Sequence, residues 1–134
     1  MGSKRRKNAR RQGGHRFVGV PHVVLDSESY KQLPNRAKAL MMDIAYFYNG
    51  RNNGDLSAAW GIMKRRGWRS KSTLSAAVSD LLSANLILKT RDGRFQNPGS
   101  CCDLYALSWR PIDECRGKNL DVPPTATPPR KFSL

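Results

Sequence analysis

Five basic side chains lie within the eight residues KRRGWRSK, a segment that we call the basic turn (residues 64–71). Lysine and arginine neutralise phosphates and release the counterions condensed on a nucleic acid. A run of charge is more often only a solvated surface, but this run directly precedes a predicted helix with a small polar face. We therefore expect it to contact a phosphate backbone. The expected contact residues in this turn are Lys64, Arg65, Arg66, Arg69, Ser70 and Lys71.

The helix predicted after the basic turn has two different faces. Apolar residues recur at i, i+3, i+4, i+7 and i+8, namely Leu74, Ala77, Val78, Leu81 and Leu82. The opposite face carries Thr73, Ser75, Ala76, Ser79 and Ser83. Such small side chains let a helix approach base edges in a groove about 12 Å wide, although an ordinary amphipathic surface helix is the alternative. The residues expected to contact DNA first are Lys71, Ser72, Thr73 and Ser75.

Two further segments carry basic residues that we expect to contact nucleic acid. The predicted hairpin carries Lys89, Arg91 and Arg94 in its segment from Lys89 to Ser100, and Arg94 could enter a minor groove. An ordinary exposed hairpin is the alternative. Residues 1–16 contribute +7 without an acidic residue, so we expect a disordered arm that follows phosphates or a minor groove. A nuclear localisation signal is the other interpretation of this arm. Its expected contact residues are Lys4, Arg5, Arg6, Lys7, Arg10 and Arg11.

The overall charge also indicates a polyanionic partner. The 134 residues hold 24 basic and 10 acidic side chains, for a net charge of +14. Residues 17–110 contribute +6 of this total, so the positive charge belongs to the predicted folded part as well as to the arm. A solubilising tail alone would not make the folded part basic.

Catalytic and metal-binding patterns are poor, so we expect neither an enzyme nor a bound metal or cofactor. The two histidines, His15 and His22, have no suitable partners nearby, and the acidic residues are scattered. Cys101, Cys102 and Cys115 match neither a zinc site nor a disulfide framework. No apolar run approaches the roughly 20 residues that cross a bilayer, and no secretory signal is recognisable. We therefore expect a protein of a reducing, intracellular compartment.

The elements that must position these residues follow from periodicity and capping signals. Trp68 is expected to pack on the core rather than to stack on a base. A brief helix is predicted near residues 27–32, capped by Asp26 or Ser27, and a longer one runs from Pro34 to Asn49-Gly50. A third helix is predicted over 58–66, with Ser57 as its cap and Gly67 as its end. The last predicted helix is capped by Ser70 or Ser72. The predicted extended segments are 17–20, a short strand at 55–56, strands over 86–90 and 104–109 with a long loop between them, and a proline-rich tail.

This order of elements resembles the winged-helix branch of the helix-turn-helix families, and the match spans residues 34–109. It is carried by Ser70-Lys71-Ser72-Thr73-Leu74, Val78, Leu81-Leu82 and Ala84-Asn85-Leu86-Ile87. The resemblance implies a mainly helical α+β fold, with a three-helix core and a β-hairpin wing. The implied organisation is a disordered arm (1–16), a winged-helix domain (17–110) and an extended proline-rich tail (111–134). The segments NGRNNGDLSAAW and RGWRSK are also similar to those of small winged-helix proteins of bacterial phages and integrating elements. This resemblance implies a mobile-element setting and a bacterial cytoplasmic protein, associated with the nucleoid if it binds DNA.

Two classes of function remain open at this stage. The first is a duplex-DNA-binding protein, either a transcriptional regulator or a replication accessory of phage or plasmid type. The second is a phage-encoded inhibitor, similar in kind to anti-CRISPR proteins, that binds a host protein or ribonucleoprotein complex through its basic surface. RNA binding is open as well, because phosphate contacts do not distinguish the two polymers. Neither the cognate sequence nor the oligomeric state follows from the residues.

Overall fold

The computed structural model describes residues 15–93, 95–96, 99–100 and 102–133, with backbone alone at 95, 96, 99 and 100. Within these ranges the chain is α+β, with five helices and a two-stranded antiparallel sheet beside a smaller ladder. The helices are α1 (His22–Leu25), α2 (Glu28–Lys31), α3 (Asn35–Tyr46), α4 (Trp60–Met63) and α5 (Lys71–Ser83). The strands are β1 (Ile87–Arg91), β2 (Phe95–Gln96), β3 (Gly99–Ser100) and β4 (Leu104–Leu107). The arm predicted to be disordered spans residues 1–16, of which 1–14 lie outside the described ranges.

Helices α3 and α5 contact each other and form the helical layer of the core. Leu40 and Ile44 of α3 and Ala77 and Leu81 of α5 are fully buried in one cluster, as the apolar spacing of both helices predicts. At the surface, the Arg36 guanidinium donates to Asp80 across 2.9 Å. Leu86, Leu107 and Trp109 extend the same cluster toward the sheet.

Helix α3 ends earlier than its periodicity predicts, at Tyr46 rather than at Asn49-Gly50. The Asn52 amide donates to the carbonyl of Phe47 at 2.9 Å and accepts from the N–H of Asn49 at 2.8 Å. This side chain therefore satisfies the backbone in a turn and replaces the last helical hydrogen bonds. Gly50 still adopts a left-handed φ of 95° inside that turn.

Helix α4 is shorter than predicted and is not capped by Ser57, which corrects both expectations. It begins at Trp60 with Ala59 as its N-cap, and a 3-10 turn over Lys64–Arg66 continues it. Ser57 instead accepts from the N–H of Ala59 at 3.1 Å, beside the bridge of Leu56 to Tyr105. That bridge holds the chain extended where a longer helix would start. The predicted stop at Gly67 is confirmed by its left-handed φ of 103°.

Strand β4 lies between two partners. It pairs with β1 in antiparallel register, with Ile87 opposite Leu107 and Lys89 opposite Tyr105. On its other side, Tyr105 exchanges backbone hydrogen bonds with Leu56 at 2.7 and 3.2 Å, which confirms the short strand predicted there. The connection between β1 and β4 is not a plain loop, since β2 and β3 pair within it. The predicted long loop is wrong in this respect.

The tail after Arg110 contains no helix or strand in its described residues, but it is not uniformly extended, since the N–H of Lys118 donates to the carbonyl of Cys115 in a turn where Gly117 has a φ of 77°. Its contacts with the rest of the molecule were not predicted. The N–H of Asp121 donates to the carbonyl of Thr90 at 2.7 Å, and Ile112 is buried. The Arg130 side chain donates to the carbonyls of Ala84 and Asn85 at the end of α5.

None of the helices in the described parts of the chain is long and apolar enough to cross a membrane.

Candidate nucleic-acid interface

The N-terminus of α5 is capped by Ser70, one of the two predicted caps. Its hydroxyl accepts from the N–H of Thr73 at 3.3 Å and lies 2.8 Å from the Ser72 hydroxyl. This cap satisfies one of the free N–H groups of the first turn, and the dipole of a 13-residue helix makes the same end attractive to anions. Lys71, Ser72 and Thr73 are exposed around it.

The two faces of α5 are oriented as the sequence predicts. Leu74, Ala77 and Leu81 are buried, and Val78 and Leu82 pack partly against the same core. On the opposite side four hydroxyl side chains are exposed and Ala76 is partly exposed. The exposed hydroxyls are those of Thr73, Ser75, Ser79 and Ser83. Small side chains therefore face solvent on this side of the helix, interrupted by Asp80, which is paired with Arg36.

Four cations of the basic turn are open to solvent beside this helix. Lys64, Arg65, Arg69 and Lys71 are exposed, and no ion pair among the described residues involves any of them. No neighbouring carboxylate therefore neutralises their charges, which are screened only by the solvent and its salt. Ser70, Lys71, Ser72 and Thr73 lie at the N-terminal end of α5, and Lys64, Arg65 and Arg69 precede this end along the chain.

Arg66 differs from the other cations of the basic turn, because its charge already has a partner. Its Nε and Nη2 atoms each lie 3.3 Å from Oδ1 of Asp43 in α3, and its guanidinium carbon lies 4.0 Å from the centre of the Tyr46 ring. The second carboxylate oxygen of Asp43 accepts from the indole N–H of Trp68 at 2.8 Å. Trp68 also packs against the core, which agrees with its expected role. One carboxylate thus holds the side chains on both sides of Gly67.

Sequence reasoning missed Asp43. No spacing rule connects an aspartate on α3 to a turn more than twenty residues later. The one available signal was a lone acidic residue on the polar side of a helix in a basic protein, and that signal is not specific.

Two of the three predicted wing cations, Lys89 and Arg91, have intramolecular partners. Lys89 lies 3.1 Å from Asp92 and 3.4 Å from Asp103, and these hydrogen-bonded carboxylates raise the pKa of Lys89. The backbone N–H of Gly93, followed by Lys89, holds the pKa of Asp103 below its usual value. Arg91 donates to the carbonyls of Cys102 and Lys118, both at 2.8 Å. Both Lys89 and Arg91 therefore stabilise the hairpin. The contacts of these two residues with nucleic acid stay predictions.

The remaining predicted contact residues lie outside the described residues: Arg94 in the hairpin, and the six of the arm's seven cations that were expected to bind. Comparisons of the chain with protein-family models, with curated proteins and with solved structures found no significant match.

Proposed function

We propose that this chain is a winged-helix protein that binds duplex DNA, with α5 in the major groove and the basic turn on the adjacent phosphates. The observation that carries this proposal is the outward hydroxyl face of α5, which begins beside four exposed cations without carboxylate partners. A face of this kind can reach base edges, while fixed cations on one side hold the phosphate backbone.

The arrangement of elements supports the fold part of the proposal. The chain runs through α3, the bridging residue Leu56, α4, α5 and then the hairpin of β1 and β4. This is the order of a winged helix, in which the second and third helices form the helix-turn-helix and the hairpin is the wing. The tight turn at Gly67 separates α4 with its 3-10 extension from α5.

The two groups of residues would have different roles in the complex. Lys64, Arg65, Arg69 and Lys71 would supply phosphate contacts, which are independent of sequence and weaken as salt rises. Ser72, Thr73 and Ser75 would meet base edges, where hydroxyl groups discriminate only modestly. Such a binder suits a transcriptional regulator or a replication accessory.

The test is the salt dependence of duplex binding by the wild-type chain and by an Arg65→Ala/Arg69→Ala/Lys71→Ala variant. If these three cations contact phosphates, the slope of log affinity against log salt should fall by about three. The matched control removes three exposed cations elsewhere, in an Arg51→Ala/Lys131→Ala/Arg116→Ala variant. It loses the same net charge and should keep most of the slope.

Equal slopes for the two triple variants would contradict the proposed interface. Absence of duplex binding by the wild-type chain, together with capture of a host nucleoprotein complex, would favour the inhibitor function instead. Selection of bound duplexes from a random library at physiological salt then reports whether α5 reads a preferred sequence.

A further inference from the structure

Exposed apolar side chains gather on the outer side of α3, next to the basic turn. Met42, Tyr46 and Phe47 expose 47%, 52% and 36% of their surface. Met42 lies one helical turn before Tyr46, and the rings of Tyr46 and Phe47 meet edge to face with centres 5.0 Å apart. Single exposed apolar residues are normal on a protein surface, but contiguous ones mark interaction sites.

The guanidinium of Arg66 completes this surface. It lies 4.0 Å from the centre of the Tyr46 ring, and Asp43 holds it there through two hydrogen bonds. Its position is therefore fixed before any ligand arrives. We call Tyr46, Phe47 and Arg66 the aromatic platform.

The chemistry of the platform favours nucleobases as its ligand. Bases stack on aromatic rings, and an arginine adds a cation–π contribution to such stacking. Lys64 and Arg65, exposed on the same 3-10 turn as Arg66, would attract the phosphates that accompany those bases. A second copy of the chain fits less well, because it would bring another +14 protein against these cations.

Bases within a duplex are already stacked and cannot reach Tyr46, so the platform suits unpaired bases. We propose that the aromatic platform binds single-stranded DNA that extends from the duplex held by α5. The inference rests on the proposed function, because Arg66 links the platform to the same basic turn. The preferred ligand would then be a duplex with a single-stranded extension.

The experiment measures the anisotropy of labelled oligonucleotides: a blunt duplex, the same duplex with a short single-stranded extension, and the free single strand. The wild-type chain should bind the extended duplex more tightly than the blunt one. Tyr46→Ala should lose about tenfold in affinity for the extended duplex, within the range for one stacked base, and little for the blunt duplex. Tyr46→Phe should retain the wild-type preference, because it keeps the ring.

Two control variants make the result specific. Phe17→Ala removes an exposed aromatic residue that lies outside the platform, and it should bind all three ligands as the wild-type chain does. Ser75→Glu should lose the blunt duplex and retain the free single strand. Should Tyr46→Ala fail to fold, as thermal unfolding would report, Phe47→Ala tests the same platform and should weaken binding of the extended duplex alone.

The proposal is overturned if the extension adds no affinity for the wild-type chain, or if Tyr46→Ala weakens the blunt and extended duplexes equally. If the wild-type chain does not bind the blunt duplex but binds the single strand through Tyr46, the proposed duplex binding is overturned. That result would still support the platform as a site for unpaired bases.

Discussion

Asn53 is a fully buried amide whose side chain joins three parts of the chain. Its Nδ2 lies within 3.1 Å of the carbonyls of Leu107, Arg110 and Pro111, and its Oδ1 accepts from the N–H of Leu107 at 2.7 Å. Its backbone N–H donates to a carboxylate oxygen of Asp113. The amide thereby connects the turn before Leu56 to the end of β4 and the start of the tail.

Asn53→Leu is expected to destabilise the fold by about 2–3 kcal/mol, because it leaves buried backbone groups without partners in a space of similar size. Urea unfolding measures the change in the free energy of unfolding. Asn35→Leu is the matched control, since Asn35 is exposed, and its effect should stay within about 0.5 kcal/mol. Equal effects of the two substitutions would mean that the amide network contributes little.

If the basic turn binds duplex DNA as proposed, Asp43 should limit that binding by neutralising the charge of Arg66. Asp43→Asn still offers an acceptor to the Trp68 indole but removes the carboxylate that neutralises Arg66. The freed guanidinium should then engage a phosphate, so binding to non-specific duplex should tighten and the salt slope should steepen by about one. Titrations at several salt concentrations measure both quantities.

Asp26→Asn is the control for that experiment, because it removes the same charge from an exposed position outside the basic turn. A similar steepening in both variants would show that net charge, rather than release of Arg66, is responsible.

At the scale of elements, the proposed function depends on the outer face of α5. Ser75 lies on that face in the first turns of the helix and is exposed. Ser75→Glu should weaken duplex binding by more than about tenfold, because a carboxylate would face the negative potential of the groove. Fluorescence anisotropy with a labelled duplex measures the loss.

Ser133→Glu introduces the same charge on an exposed serine of the tail and should leave duplex affinity nearly unchanged. If the two variants bind alike, α5 is not the element that enters the groove. Circular dichroism should show an unchanged helix content for both, since neither serine is buried.

At the scale of the whole molecule, the tail returns to the helical layer through Arg130. Its guanidinium donates to Ala84 and Asn85 at the end of α5 and to the Ser29 hydroxyl of α2, at 2.8 to 3.1 Å. It also lies 4.2 Å from the centre of the Phe132 ring. A cation at the C-terminal end of a helix satisfies free carbonyls and complements the dipole.

Arg130→Ala should therefore lower the free energy of unfolding by about 1–2 kcal/mol and expose the tail to protease before the body unfolds. Lys131→Ala, an exposed neighbour, is the control and should change neither quantity. Thermal unfolding combined with limited proteolysis separates the two effects. Unchanged cleavage in Arg130→Ala would show that other contacts hold the tail.

Local signals predicted most of the elements but not all of their limits. The apolar stripe and Ser70 cap of α5, the stop at Gly67 and the strand near Leu56 are all confirmed. The predicted end of α3 and the predicted start of α4 were wrong, because Asn52 and the Leu56 bridge form other hydrogen bonds with the backbone at these positions. Periodicity reports which face is apolar, and it does not report where such competition ends a helix.

The sequence by itself determined the features that depend on neighbours within a few residues: the two faces of α5, its cap, the basic turn and the positive charge of the predicted folded part. Only the tertiary structure decided which cations have intramolecular partners and which stay available for a ligand. Arg66 forms an ion pair with Asp43, and Lys89 and Arg91 bind partners within the hairpin. Arg130 of the tail donates to a carbonyl at the end of α5. Apart from Lys89–Asp92, which lie three residues apart, these pairs join residues that are distant along the chain or on opposite strands. Their contacts arise when the core packs, and no local rule encodes them.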